Sequence, residues 1–246
     1  MKTIGLLGGM SWQSTLTYYR LLNEETAARL GGLHSARLLL YSVDFHDIER
    51  AMSRGAWDDA AALLADGARR LEGAGAEVLI LGTNTLHRVA DEIQSAVSIP
   101  FLHIVDVTAA HILRSGASAV GLLGTRPTME QAFYRERLEA SGLRVLIPDA
   151  ADREAVHRVI FEELVHGAIV STSRDAYRGV IQRLCATGAE GVVLGCTEIA
   201  MLVSAADSPV PLFDTTALHA RAAVDFALGG PAPAPAPLRA AANPLS

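Results

Sequence analysis

Short apolar runs alternate along the 246-residue chain with longer stretches of helical period. Runs rich in Leu, Val and Ile predict strands at 3–7 (TIGLL), 37–43 (RLLLYSV), 77–81 (EVLIL), 100–104 (PFLHI), 119–123 (AVGLL), 143–147 (LRVLI) and 191–194 (GVVL), with a shorter one at 210–213 (VPLF). Between them the pattern predicts helices near 13–29, 56–73, 86–97, 106–115, 128–141, 153–169, 174–187 and 215–227. The stretch WDDAAALLADGARRLEGAGA is typical: its apolar positions recur at helical spacing and it ends at glycines. Such alternation predicts an α/β fold with mostly parallel sheets.

The pattern also repeats. GLLGGMSW at 5–12 resembles GLLGTRPT at 121–128, an offset of 116, and VLILGTNTLH at 78–87 resembles VVLGCTEIA at 192–200, where aligning LGT with LGC gives 113. Two pairs in the same order at nearly one offset suggest duplicated α/β halves, expected at 1–115 and 116–228, with a helix near 215–227 crossing back to the first half. The alternative is that Gly-rich βα turns look alike in any α/β protein. The end of the chain, GGPAPAPAPLRAAANPLS at 229–246, alternates Pro with Ala and is expected to be an extended tail.

Composition narrows the chemistry. Apolar residues make up 50% of the chain, enough for a proper core, and the net charge of −6 points away from nucleic acid and acidic lipid. No run approaches the length of a membrane span, and the N-terminus reads as strand and turn rather than a signal peptide. A cytoplasmic location is expected. Lys2 is the only lysine, at the lip of the first strand, which argues against a pyridoxal-phosphate Schiff base. Neither GLLGGMS nor GLLGTRPT fits a phosphate-loop or dinucleotide fingerprint. The eight histidines show no metal-ligand spacing, so no metal is expected.

Under the repeat, Thr83 and Cys196 occupy equivalent positions, each between a strand and a helix start. The crevice beyond strand C-termini is where parallel sheets bind ligands, and a helix N-terminus favours a carboxylate and lowers a thiol's pKa. Asn84 and Thr85 on one side, and Thr197 and Glu198 on the other, would add contacts to that anion. Cys196 is then either an acid/base or nucleophile acting on a small carboxylate, or a small apolar filler at a strand end. Cys185 shares a helical face with Ile181 and Leu184 and reads as core. His87 and Arg88 open the helix after Thr83 and face either the cleft or the surface.

The segments GLLGGMSWQSTLTYYRLLN, LGTNTLH, FLHIVD, GLLGTRPTM followed by FY, FEELVHG and LGCTEI, in this order, resemble the aspartate/glutamate racemase family over residues 3 to about 215. The resemblance implies two similar Rossmann-like domains related by a pseudo-twofold, with the substrate between them. It also implies no cofactor, a homodimer and an acidic amino-acid substrate. Inverting Cα needs one acid/base group on each face, which two facing copies of a domain supply. In this frame Cys196 is the thiolate base and Thr83 the opposite proton donor. Met10, Ser11 and Thr125 join Asn84, Thr85, Thr197 and Glu198 as substrate contacts.

The chain departs from the family pattern at two places. Thr83 stands where a cysteine is usual, which resembles a subgroup associated with L-aspartate and L-glutamate. Met52 stands where relatives often carry a polar residue contacting the distal carboxylate. That carboxylate would then need a histidine or arginine, with His166 and Arg126 as candidates. Two other readings compete: a single-cysteine malonate-type decarboxylase of the same superfamily, and a carboxylate-binding protein without turnover.

Overall fold

The structure is a computed structural model that describes residues 1–231; the remainder of the expected tail, 232–246, lies outside the described residues. Strands β1 (Ile4–Gly8), β2 (Leu38–Ser42) and β3 (Val78–Leu81) form a parallel sheet in the order β2-β1-β3. Strands β4 (Ala119–Gly124), β5 (Arg144–Leu146), β6 (Gly191–Gly195) and β7 (Leu212–Asp214) form a second, in the order β5-β4-β6-β7. Phe101 adds one parallel bridge to Leu79 beyond β3. With that bridge in the place of β7, the two sheets share one strand order.

The strand expected at 100–104 is therefore a single bridge residue. Leu79 N–H donates to Pro100 O (2.8 Å) and Leu102 N–H to Leu79 O (3.0 Å). His103 already caps the next helix, its Nδ1 accepting from Val105 N–H at 3.2 Å, so the extended stretch stops. Other boundaries move for local reasons. Residues 86–97 divide into a 3-10 turn, Thr85–Val89, and a short helix, Ala90–Ser95. Residues 128–141 divide at Gln131, whose extended backbone (φ −80°, ψ 151°) separates Arg126–Glu130 from Ala132–Ala140. The helix expected over 153–169 ends at Glu162, and the 3-10 turn Leu164–His166 closes at left-handed Gly167. A helix at Phe45–Ser53, capped by Asp44 Oδ1 on His46 N–H, was not legible in the pattern because it buries only Ile48 and Ala51.

The α-helices among the described residues are α1 (Trp12–Leu30), α2 (Phe45–Ser53), α3 (Trp57–Gly73), α4 (Ala90–Ser95), α5 (Ile104–Arg114), α6 (Arg126–Glu130), α7 (Ala132–Ala140), α8 (Ala150–Glu162), α9 (Ser171–Ala186), α10 (Ile199–Leu202) and α11 (Thr215–Ala227), the fourth, sixth and tenth being one or two turns only. Two of them change sides. Ile104, Val105, Ala109 and Ile112 of α5 pack with Val120 and Leu122 of β4 and Val193 of β6. Ala220, Ala223, Val224 and Phe226 of α11 pack with Ile4 and Leu6 of β1 and Val78 and Ile80 of β3. Each sheet thus gains a covering helix from the chain segment of the other. Cys185 is half-buried against the second core. No helix among the described residues is long and apolar enough to cross a membrane.

Candidate active site

The C-terminal ends of β3 and β6 open onto one cavity lined by Thr83, Asn84, Thr85, Thr125, Gly195, Cys196, Thr197 and Glu198. Met10 and Ser11 line it from the turn after β1, and Phe45 and Met52 from α2. Ile160 and Phe161 of α8 and Val165 of the following turn form the remaining wall with Leu86. The enclosed space is about 60 Å³, room for a few waters or a small zwitterion. Gly9 makes the first turn possible: its φ is +97°, and a Cβ there would collide with the Val43 backbone. Ser11 then caps α1, accepting from Ser14 N–H at 3.3 Å.

Three hydrogen-bonded links cross the cavity between the two sheets. Glu198 accepts from Ser11 Oγ (3.1 Å) and Ser14 Oγ (2.9 Å) on Oε1, and from Cys196 Sγ (3.0 Å) and Thr197 Oγ1 on Oε2. Asn84 accepts from Tyr134 OH on Oδ1 (2.9 Å) and donates from Nδ2 to Thr215 Oγ1 (3.1 Å), which in turn donates to Leu194 O (2.8 Å). The Thr85 and Thr125 hydroxyls meet at 3.0 Å, with Thr128 3.1 Å beyond Thr125. The turn carrying Thr83 and the turn carrying Cys196 are therefore held in register by side chains whose hydrogen-bonding capacity is used. The backbone N–H groups of Asn84, Thr85 and Thr197 have no acceptor among the described residues, leaving them as donors for a bound anion.

Behind Thr83 lies a buried imidazole. His87 Nε2 accepts from Ile104 N–H (3.2 Å), so its Nδ1 carries the proton and donates to Thr83 O (2.7 Å). His87 is in ring contact with His103 (4.6 Å between centroids) and His219 (5.9 Å). His219 accepts from Tyr18 OH on Nδ1 (2.8 Å) and donates from Nε2 to Leu102 O (2.7 Å). Burial pushes all three imidazoles down: His87 well below its ordinary value, helped by His219, His103 well below it, helped by His87, and His219 to about 4.

Several expectations need correction. The helix after Cys196 is only α10, four residues long, and Glu198 stands at its start, so no strong helix dipole lowers the thiol. Burial, and then the Glu198 carboxylate, instead push the Cys196 thiol well above its usual range. His166 is exposed and does not line the cavity. Arg126 is exposed and ion-paired with Glu154, while its backbone N–H donates to His157 Nδ1 (3.2 Å). His87 is turned into the core rather than the cleft, and Arg88 reaches Gln131 Oε1 (2.5 Å) over the Trp57 ring. The other ten residues expected at the substrate, Met10, Ser11, Met52, Thr83, Asn84, Thr85, Thr125, Cys196, Thr197 and Glu198, all line the cavity. Sequence reasoning missed Ser14, Tyr134 and Thr215, which do not touch the cavity but fix residues that do. Ser14 could have been found, lying one helical turn from Ser11.

Paired strand-end turns converge on one cavity between two parallel α/β sheets and bring to it a thiol, hydroxyls and backbone amides. The chain belongs to the Asp/Glu/Hydantoin racemase family, whose model matches residues 7–223. A crystal structure of a candidate Asp/Glu racemase from Yersinia pestis is 57% identical, with a TM-score of 0.88 over 93% of this chain and 100% of that one. An aspartate racemase homologue from Pyrococcus horikoshii is 34% identical, with a TM-score of 0.83 over 93% and 100%. The broad-specificity amino-acid racemase RacX of Bacillus subtilis is 29% identical over 174 residues, 68% of this chain and 72% of that protein. Arylmalonate decarboxylase shares the fold at 16% identity and a TM-score of 0.57. The chain is thus an enzyme of the amino-acid racemase class.

Proposed function

We propose that this enzyme inverts an α-amino acid at Cα by two-sided proton transfer, without a cofactor, Cys196 serving one face and Thr83 the other. The observation that carries the reading is the placement of these two residues at matching strand ends, β6 and β3, on one cavity. The α-carboxylate would accept from the free amides of Asn84, Thr85 and Thr197, which stabilises charge as the carbanion develops. The Cys196 thiol, held 3.0 Å from Glu198, first loses its proton to water, and the thiolate then removes the Cα proton. Thr83 donates its hydroxyl proton to the opposite face and is reprotonated from water.

The racemase relatives at 57% and 34% identity favour this over decarboxylation, for which the likeness is one of fold. Aspartate and glutamate are the substrates that the family resemblance carries, while the relative RacX is a broad-specificity enzyme. The proposal keeps the two halves, 1–115 and 116–228, as its domains and a cytoplasmic homodimer as its assembly. The test is Cα–H exchange in D₂O followed by NMR over a panel of L-amino acids. Deuterium in both enantiomers is the expected result; binding without any exchange would leave a carboxylate-binding protein instead.

A further inference from the structure

The charges around the cavity bear on which side chain it accepts. Among the described residues, no arginine, lysine or histidine lines it. The single charged lining group is Glu198, an anion already accepting four hydrogen bonds. Arg126, Arg153, Arg137 and Arg88 are engaged by Glu154, Glu130, Asp106 and Gln131, and Arg50 of α2, Arg54 at its end and Arg158 of α8 do not line the cavity. The wall away from the strand ends is instead Phe45, Met52, Ile160, Phe161 and Val165.

From this arrangement we infer that the substrate's side chain is uncharged and apolar, aliphatic or thioether, rather than a carboxylate. The inference rests on the racemase reading above and names the substrate class of that site. A second carboxylate would leave water for an apolar wall that offers it no cation, and would share the cavity with the Glu198 anion. Burying an unpaired charge in that way is among the costliest changes a binding site can make. A methyl or thioether group, by contrast, gains from leaving water against the same wall. The zwitterion that remains is neutral overall, with its ammonium attracted by Glu198 and its α-carboxylate by the strand-end amides. Met52 suits this role, since a flexible thioether adapts to side chains of differing shape.

The experiment measures kcat/KM for Cα–H exchange in D₂O with the full chain on L-Ala, L-Val, L-Leu, L-Met, L-Asp, L-Glu and L-Lys. The best neutral substrate is expected to exceed aspartate and glutamate by about tenfold or more. Aspartate or glutamate turning over faster than every neutral amino acid overturns the inference and leaves the racemase reading standing. Lysine as the fastest substrate overturns it too. Exchange with none of the seven overturns both. The variant Met52→Arg, confirmed folded by circular dichroism, places a guanidinium in the wall. It should raise kcat/KM on aspartate or glutamate about tenfold and lower it on methionine. An unchanged ratio between the two would remove Met52 from the side-chain pocket and overturn the argument from the wall.

Discussion

The Cys196 thiol donates to the Glu198 carboxylate at 3.0 Å, and that carboxylate is one of the two causes that keep the thiol protonated. Because the thiol's pKa is raised, the thiolate is populated only on the alkaline side. kcat/KM, equal in the two directions at every pH, should keep rising beyond the ordinary thiol value of about 8.5. Glu198→Gln removes the neighbouring negative charge, so this limb should move to lower pH. Paired pH profiles of kcat/KM for the two proteins test this; a limb that stays in place would show that Glu198 does not set the thiol's affinity for its proton.

Thr83 and Cys196 should fail in different ways. Cys196→Ala is expected to lose about 10³-fold or more in both exchange and inversion, since no base remains at that face. Thr83→Ala should still wash deuterium into the starting enantiomer while inverting little of it. Thr83→Ser keeps the hydroxyl and should stay within about tenfold of the parent. Thr83→Cys should raise kcat for the D-enantiomer. kcat/KM must remain equal for the two free enantiomers, which have the same energy, so asymmetry shows only in kcat and KM separately. NMR of both enantiomers in D₂O reads all four variants.

The buried histidines predict acid sensitivity. His87, His103 and His219 are neutral when folded, with pKa values below the unfolded value of about 6.5. The unfolded chain therefore binds more protons than the folded one once pH drops under that value. Stability is fully present above it and is lost as pH falls toward 4, where His219 titrates in the folded protein. Each such histidine contributes a slope of about 1.4 kcal/mol per pH unit in this window. Tm measured between pH 7 and 4.5 should fall steeply, and His219→Asn, though less stable at pH 7, should show a shallower fall.

Gly9→Ala should be among the most damaging single-methyl additions. It combines a positive φ with a collision against the Val43 backbone, and it distorts the turn that delivers Met10 and Ser11. A loss of about 2 kcal/mol or more is expected, lowering Tm by about 5 °C or more. Thermal melts together with activity would check it, and an unchanged melt would mean the turn relaxes freely.

Much of the site could be read from the chain because it sits at strand ends, where buried β-rich runs announce themselves. VLIL and GVVL located Thr83 and Cys196, and their shared offset paired them. The wall opposite was less visible. Phe45 sits on a helix with one narrow buried face, and Ile160, Phe161 and Val165 lie where a helix gives way to a 3-10 turn, which periodicity reads as one long element. The cysteine's protonation was not legible, because a sequence shows a helix start but neither the burial of the thiol nor the carboxylate folded back onto it. His87 was misplaced because nothing local says which way an imidazole turns; its partners, Ile104 and Thr83, come from two different turns.

The crossing of α5 and α11 has a mechanical consequence. Cutting the chain near residue 115 would strip Val120 and Leu122 of Ile104 and Ile112, and strip Ile4 and Ile80 of Ala223 and Val224. Neither piece would keep a closed core, so the smallest unit able to melt is the interlocked whole. A calorimetric scan should show one transition, with calorimetric and van't Hoff enthalpies in agreement. The rigidity that the proposed two-sided proton transfer requires is thus a property of a clasp: each half fastens the other's cover.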